Sequence, residues 1–203
     1  PEAVASILQA AFRGRLDYQH TDHLLRVPAL LQLSPDAVAA LLKTEIQSAV
    51  GPACAQAAVF LRLLNFPAVQ DWSPSACAEV FHALLDATDC ALRTAKDWPW
   101  VPATFLFENA SKLPGMHLLS ASQLVRLLQH AIDMPGEKEL LLTGAKSRGG
   151  QSLVAWVVGL LCRVPAASQI VAADMQQSLQ RAAALWPDDA DLVAHLQRHV
   201  VGS

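Results

Sequence analysis

The chain has 203 residues, of which 53% are hydrophobic and 16% are charged, and its formal net charge is −3. This composition excludes intrinsic disorder, which requires low hydrophobicity and high charge. The lack of a basic excess argues against direct binding of DNA or RNA. Alanine and leucine dominate, and there is a single tyrosine, whereas strands favour β-branched and aromatic residues. The sequence therefore predicts an all-α fold.

Early in the chain, the periodicity of apolar residues predicts four helices. They are expected at Glu2–Phe12, Thr21–Leu31, from Pro35 to Gly51, and from Pro52 to Leu64. The longest helix is expected from Pro74, just after Ser73, to about Thr94. Pro114-Gly115 is expected to form a turn, because both residues favour turns over helix interiors.

The second half of the chain is expected to hold five more helices. Their predicted bounds are Val101–Ser111, Ser120–Ile132, Gln151–Arg163, Ala167–Leu185 and Asp188–Val201, the last with Asp188 as its N-cap. The run from Leu153 to Cys162 is strongly apolar. It is too short for a membrane span, which needs about 20 residues, so it predicts a buried helix and no membrane association.

A helix-opening pattern recurs along these elements. It occupies Leu33–Leu42, Trp72–Phe81 and Leu119–Leu128, and its serines, Ser34, Ser73 and Ser120, lie 39 and 47 residues apart. Serine is a favoured N-cap, and the spacing suits two-helix repeats of about 40–47 residues. The pattern predicts a right-handed α-solenoid of HEAT- or armadillo-like antiparallel hairpins, with about 10–11 helices. We interpret residues 1–203 as one helical-repeat domain, a fragment of a larger protein.

No motif of catalysis, metal binding or cofactor binding emerges. The four cysteines, Cys54, Cys77, Cys90 and Cys162, are widely spaced, which favours buried thiols in an intracellular, reducing compartment over a zinc site. His195 and His199 share one helix face, but the glutamate of the metalloprotease motif is replaced by Leu196, so a solvated pair is favoured. The chain also lacks G-x-S-x-G. We therefore expect no enzyme activity and no cofactor.

The segment Gly144–Gly150 combines glycines with Lys146 and Arg148. Such a loop can cradle phosphate, but it lacks the P-loop pattern, so a connector or partner contact is favoured. Four tryptophans lie at predicted turns, namely Trp72, Trp98, Trp100 and Trp186. Tryptophan is frequent in interface hot spots, although these rings could instead seal gaps between repeats. The candidate partner-binding residues are Trp98, Trp100, Lys146, Arg148, Trp186, Asp191 and His195.

From Trp98 onward the chain resembles the C-terminal helical-repeat domain of the Fanconi anaemia group E family. The similarity is carried by W-P-W-V-P-A-T-F at Trp98–Phe105, the serine-capped helix at Ser120–Leu128, S-L-V-A-W-V-V-G-L-L, and A-A-A-L-W-P-D-D-A-D-L-V-A-H-L at Ala182–Leu196. It covers about half of the chain. Met134–Gly150 looks like an insertion, and Asp191 stands where a bulky apolar residue is expected.

This resemblance implies a non-catalytic role in the nucleus. Members of the family are adaptors of the Fanconi anaemia core complex, and they link its ubiquitin ligase to the group D2 protein and contact the group C protein. By the same resemblance, the closing helix at Asp188–Val200 would face the substrate. We therefore expect a scaffold that binds other protein subunits. The alternative is a carrier of a small molecule or lipid with an apolar cavity between helices.

Overall fold

In the computed structural model, residues 28, 32–48, 67–94, 100–134 and 152–200 are described. These residues form nine α-helices and one 3-10 helix, and no strand occurs among them. The α-helices are α1 (Pro35–Ser48), α2 (Pro67–Gln70), α3 (Pro74–Thr94), α4 (Trp100–Ser111), α5 (Pro114–His117), α6 (Ala121–Ile132), α7 (Leu153–Leu161), α8 (Ala172–Leu185) and α9 (Ala190–Val200). The predicted all-α class is confirmed. The helices predicted at Glu2–Phe12 and Pro52–Leu64, and nearly all of Thr21–Leu31, lie outside the described residues.

Three helices begin where the serine pattern predicts. Ser34 Oγ accepts a hydrogen bond from the backbone N–H three residues further on at 3.3 Å, and Ser73 Oγ does the same at 3.1 Å. Ser120 forms a full capping box with Gln123: the Gln123 N–H donates to Ser120 Oγ at 3.3 Å, and the Ser120 N–H donates to Gln123 Oε1 at 3.0 Å. These caps satisfy backbone donors that a helix start leaves unpaired.

Two predictions of secondary structure are wrong. The expected helix at Ala167–Leu185 is instead a 3-10 helix at Pro165–Gln169 followed by α8, because Ile170 takes an extended conformation that buries its side chain. Likewise, Pro114-Gly115 is not a turn but the start of α5, which is only four residues long. The short helix α2 was not predicted at all.

The helices pack in two rows. α3, α6 and α8 contact one another in that order, and α4, α7 and α9 do the same in a second row. Across the rows, α3 contacts α4, α6 contacts α7, and α8 contacts α9. Consecutive long helices therefore alternate between the rows, while α1 extends the arrangement by packing on α3.

The hydrophobic core lies between these two rows. Phe81 of α3 and Phe107 of α4 are fully buried, and their ring centroids are 5.4 Å apart. Eight of the nine residues of α7 are buried, which confirms the buried helix predicted from its apolar run. No helix in the described part of the chain is both long enough and apolar enough to cross a membrane.

The described cysteines follow the prediction in two cases of three. Cys77 and Cys162 are buried, and burial raises the pKa of their thiols to about 11 and about 12. Cys90 is exposed, so the prediction of a buried thiol is wrong there. Cys54 lies outside the described residues.

Candidate partner-binding groove

The sequence-predicted site residues do not form one cluster among the described residues. Trp98, Lys146 and Arg148 lie outside the described ranges, and Trp100 is the first residue of α4. Asp191 is exposed in the first turn of α9. The other two candidates are Trp186, which directly follows α8, and His195 of α9, and each makes contacts within the fold.

Trp186 is buried at the joint between α6 and α8. Its side chain is 4% exposed, and its Nε1–H donates to the backbone oxygen of Ile132, the last residue of α6, at 2.8 Å. One residue further along, Asp133 accepts two hydrogen bonds from Arg181 of α8, at 2.5 Å and 2.7 Å. Trp186 and Arg181 thus hold the end of α6, and the Trp186 ring is buried within the fold.

His195 is half-buried between α7 and α9. A Cβ atom added to Gly159 of α7 would lie 2.9 Å from two atoms of its ring, so the absence of a side chain at Gly159 makes room for the imidazole. Arg198 Nη2 donates to His195 Nδ1 at 2.7 Å. Burial and then Arg198 lower the pKa of His195 below its ordinary value of 6.5. The expectation of a solvated histidine pair is therefore wrong for His195. No group of three or more potential metal ligands occurs in the described residues.

The starts of α7 and α9 are tied together. Ser152 Oγ accepts the Ala155 N–H at 2.9 Å and donates to Asp189 Oδ2, while Asp189 Oδ1 accepts the Leu192 N–H at 3.0 Å. Asp189, and not Asp188 as predicted, is the cap of α9. The carboxylate of Asp189 reaches both its own helix and the cap of α7, so the two helices begin side by side.

A pair of histidines joins α3 to α6. The Nδ1 atoms of His82 and His130 lie 2.7 Å apart, and the rings stack with centroids 5.0 Å apart. His130 Nε2 lies 3.0 Å from Asp86 Oδ1. Burial is the largest cause that lowers the pKa of His82, followed by His130 and, more weakly, Arg126, whereas Asp86 and Glu79 raise it. The pair is a polar contact within the first row.

The best candidate for a binding site is a groove where α4, α5 and the end of α7 meet. Its volume is about 320 Å³, and it is lined by Glu108, Ser111, Lys112, His117, Trp156, Leu160, Arg163 and Val164. We call it the Trp156 groove. Trp156 is the one residue of α7 that is not buried, and Leu160, one turn further on, shares its face. The floor is therefore apolar, with an indole that remains partly accessible.

The rim of the Trp156 groove is polar. Lys112 and Glu108 form an ion pair at 2.7 Å, which offsets the charge of each. Arg163 is exposed and has no carboxylate within ion-pair distance in the described part of the chain, and His117 is exposed as well. Next to His117, Leu118 is 70% exposed, the most exposed large hydrophobic residue described. Cationic and apolar side chains thus lie together at this surface.

A second groove, about 400 Å³ in volume, lies between α1 and α3. Small side chains such as Ala39 and Ala76 line it, and Lys43 pairs with Glu79 across it at 3.0 Å. It offers no aromatic side chain, and these two opposite charges are matched to each other. It is therefore the weaker candidate for a partner-binding site.

Sequence reasoning missed the Trp156 groove. Trp156 falls in the middle of the predicted helix Gln151–Arg163, away from the predicted turns, and Arg163 is the last residue of that helix. The available signal was the spacing of Trp156, Leu160 and Arg163, which places all three along one side of the helix predicted at Gln151–Arg163. An apolar helix gives no indication of which side stays accessible, so this signal was weak.

Comparisons with protein-family models, with curated proteins and with solved structures found no match.

Proposed function

We propose that this chain is a non-catalytic interaction module, an adaptor that binds other protein subunits on a right-handed α-solenoid. The observation that carries the proposal is the Trp156 groove, where an accessible indole lies beside an arginine that has no carboxylate partner in the described residues. Tryptophan and arginine are the residues most enriched in interface hot spots. The groove is at the small end of ligand-pocket volumes, a size suited to one or two side chains of a partner.

The arrangement in two rows supports the solenoid part of the proposal. In helical-repeat proteins each hairpin contacts its neighbours, and the stacked hairpins leave an extended surface for binding. The pairs α3–α4, α6–α7 and α8–α9 contact one another in this order. Helix starts that recur at repeat-sized intervals, capped by Ser73 and Ser120, agree with such stacking.

The resemblance to the Fanconi anaemia group E family supports a more specific form of the proposal. In that form, the chain is part of a nuclear DNA-repair adaptor that links a ubiquitin ligase to its substrate, and α9 faces the substrate. The exposed residues of α9 include Asp191, Gln197 and Arg198, which are polar and would belong to the rim of such an interface.

The test begins with affinity purification on the tagged 203-residue chain and identification of the recovered proteins. Each recovered protein is then purified, and its binding to the 203-residue chain is measured by isothermal titration calorimetry. We expect at least one direct, saturable complex, weakened by the substitution Arg163→Glu. A recovered ubiquitin ligase subunit or its substrate would support the specific form. If no recovered protein binds the purified chain, the proposal is wrong.

A further inference from the structure

We infer that the Trp156 groove binds an acidic protein segment that inserts a bulky apolar side chain against Trp156. This inference depends on the proposed function and specifies the chemistry of the partner. Three properties of the described residues lead to it: the apolar floor, the one positive charge in the groove lining that no lining carboxylate offsets, and the way in which the starts of α7 and α9 are tied together.

The floor selects an apolar anchor. Trp156 is half-buried above Leu160 and Val164, which are 8% and 3% exposed. A leucine or aromatic side chain placed there would cover the remaining surface of the indole. Such a contact removes apolar area from water on both partners, and a rigid indole loses little conformational entropy on binding.

The charges of the rim favour acidic residues beside this anchor in the partner. Lys112 is offset by Glu108, which leaves Arg163 as the uncompensated cation of the groove. Arg198 of α9 lies outside the groove lining, and His195 interacts electrostatically with both arginines and with the carboxylates of Asp191 and Asp189. Arg198 bonds the neutral acceptors Ala194 O and His195 Nδ1, and it forms no ion pair with a described carboxylate. Arginine binds carboxylates through two parallel hydrogen bonds, which favours aspartate and glutamate in the partner.

This positive charge is local and does not reflect the composition of the chain. The whole chain carries a net charge of −3, so an even distribution would make its surface slightly acidic. Arg163 follows the end of α7, and Arg198 lies in the last turn of α9. Because Ser152 and Asp189 tie the starts of these helices together, the two arginines lie toward the same end of the helix pair.

The experiment selects peptides from a random display library on the immobilised 203-residue chain and measures the affinity of the enriched peptides by fluorescence anisotropy. We expect enriched peptides to carry aspartate or glutamate beside leucine, phenylalanine or tryptophan. Arg163→Glu should weaken them about tenfold, and Trp156→Ala about 30-fold. The matched control is Arg126→Glu, an exposed arginine of α6 outside the groove, which should bind normally.

Two further measurements keep the result interpretable. Binding should weaken as salt rises from about 0.1 M to about 1 M, because the Debye length falls from about 10 Å to about 3 Å. Selection on the Arg163→Glu variant should enrich fewer acidic peptides, and this readout remains valid if Trp156→Ala does not fold.

Enrichment of basic or uncharged peptides, or of nucleic acid in a parallel selection, would overturn the inference. Acidic peptides that bind both groove variants as tightly as the original chain would also overturn it. In that case the proposed function still stands, because the chain binds peptides elsewhere. By contrast, failure of every purified candidate protein to bind the chain refutes the proposed function itself.

Discussion

Replacement of Gly115 by alanine tests the close approach of α5 to the start of α3. A Cβ atom at Gly115 would lie 2.5 Å from Cys77 Sγ and 2.6 Å from the backbone oxygen of Trp72, whereas ordinary contacts begin at 3.4 Å. The two contacts must open by roughly 0.9 Å and 0.8 Å to reach 3.4 Å, and the oxygen belongs to the backbone just before the Ser73 cap. Overpacking of this kind costs about 1–3 kcal/mol.

Alanine is favoured over glycine inside a helix by about 1 kcal/mol, which offsets part of this cost. Because a backbone atom cannot rotate away as a side chain can, we expect the clash to dominate. Together the two effects should lower the free energy of unfolding of Gly115→Ala by about 1 kcal/mol and Tm by roughly 2–4 °C. Urea denaturation followed by circular dichroism measures the first quantity, and calorimetry the second.

Gly159→Ala provides the matched control. The added Cβ would meet only the ring of His195, at 2.9 Å, and a side chain can rotate away at lower cost. We therefore expect a smaller loss of stability at Gly159 than at Gly115. If Gly115→Ala is as stable as the original chain, or if Gly159→Ala is the more damaging change, the reasoning about backbone contact is refuted.

Ser152→Ala and Asp189→Ala should each lower the free energy of unfolding by about 1 kcal/mol, and the double variant by less than their sum, because the two caps share a hydrogen bond; additive losses in urea denaturation would contradict this. His82 has a lowered pKa when folded, so the unfolded chain takes up the proton first and stability should fall as pH drops below about 6.5. His82→Gln should make this fall less steep, with the remainder due partly to His195; an unchanged slope would contradict the assignment. Iodoacetamide should modify exposed Cys90 in the folded chain but spare the buried thiols at positions 77 and 162, as peptide mass spectrometry can determine.

The parts of the fold that depend on local sequence were predictable. Ser73 and Ser120 cap the helices that follow them because a serine oxygen reaches a backbone N–H three residues away, and α3 has the predicted extent. Local sequence could not decide whether Asp188 or Asp189 is the N-cap of α9. Asp189 also bonds Ser152, which lies 37 residues earlier, and no pattern within α9 contains that information.

The candidate site was less predictable than the fold. α7 is apolar on every side, so its sequence does not reveal that Trp156 remains accessible while its neighbours are buried. The rim is assembled from α4, α5 and the end of α7, and only packing brings Lys112 close to Arg163. Trp186, in contrast, was predicted at a turn and lies just after α8, but its indole is buried by a contact with α6.

The hydrogen bonds by which Trp186 and Arg181 hold the end of α6 join segments that are distant in the sequence. Both residues lie far along the chain from their partners, by 54 and 48 positions, so the contact closes a long loop. Loop-closure entropy grows slowly, and each doubling of loop length costs about 0.6 kcal/mol. Lengthening the chain between these partners would therefore add little to the entropic cost of forming this contact.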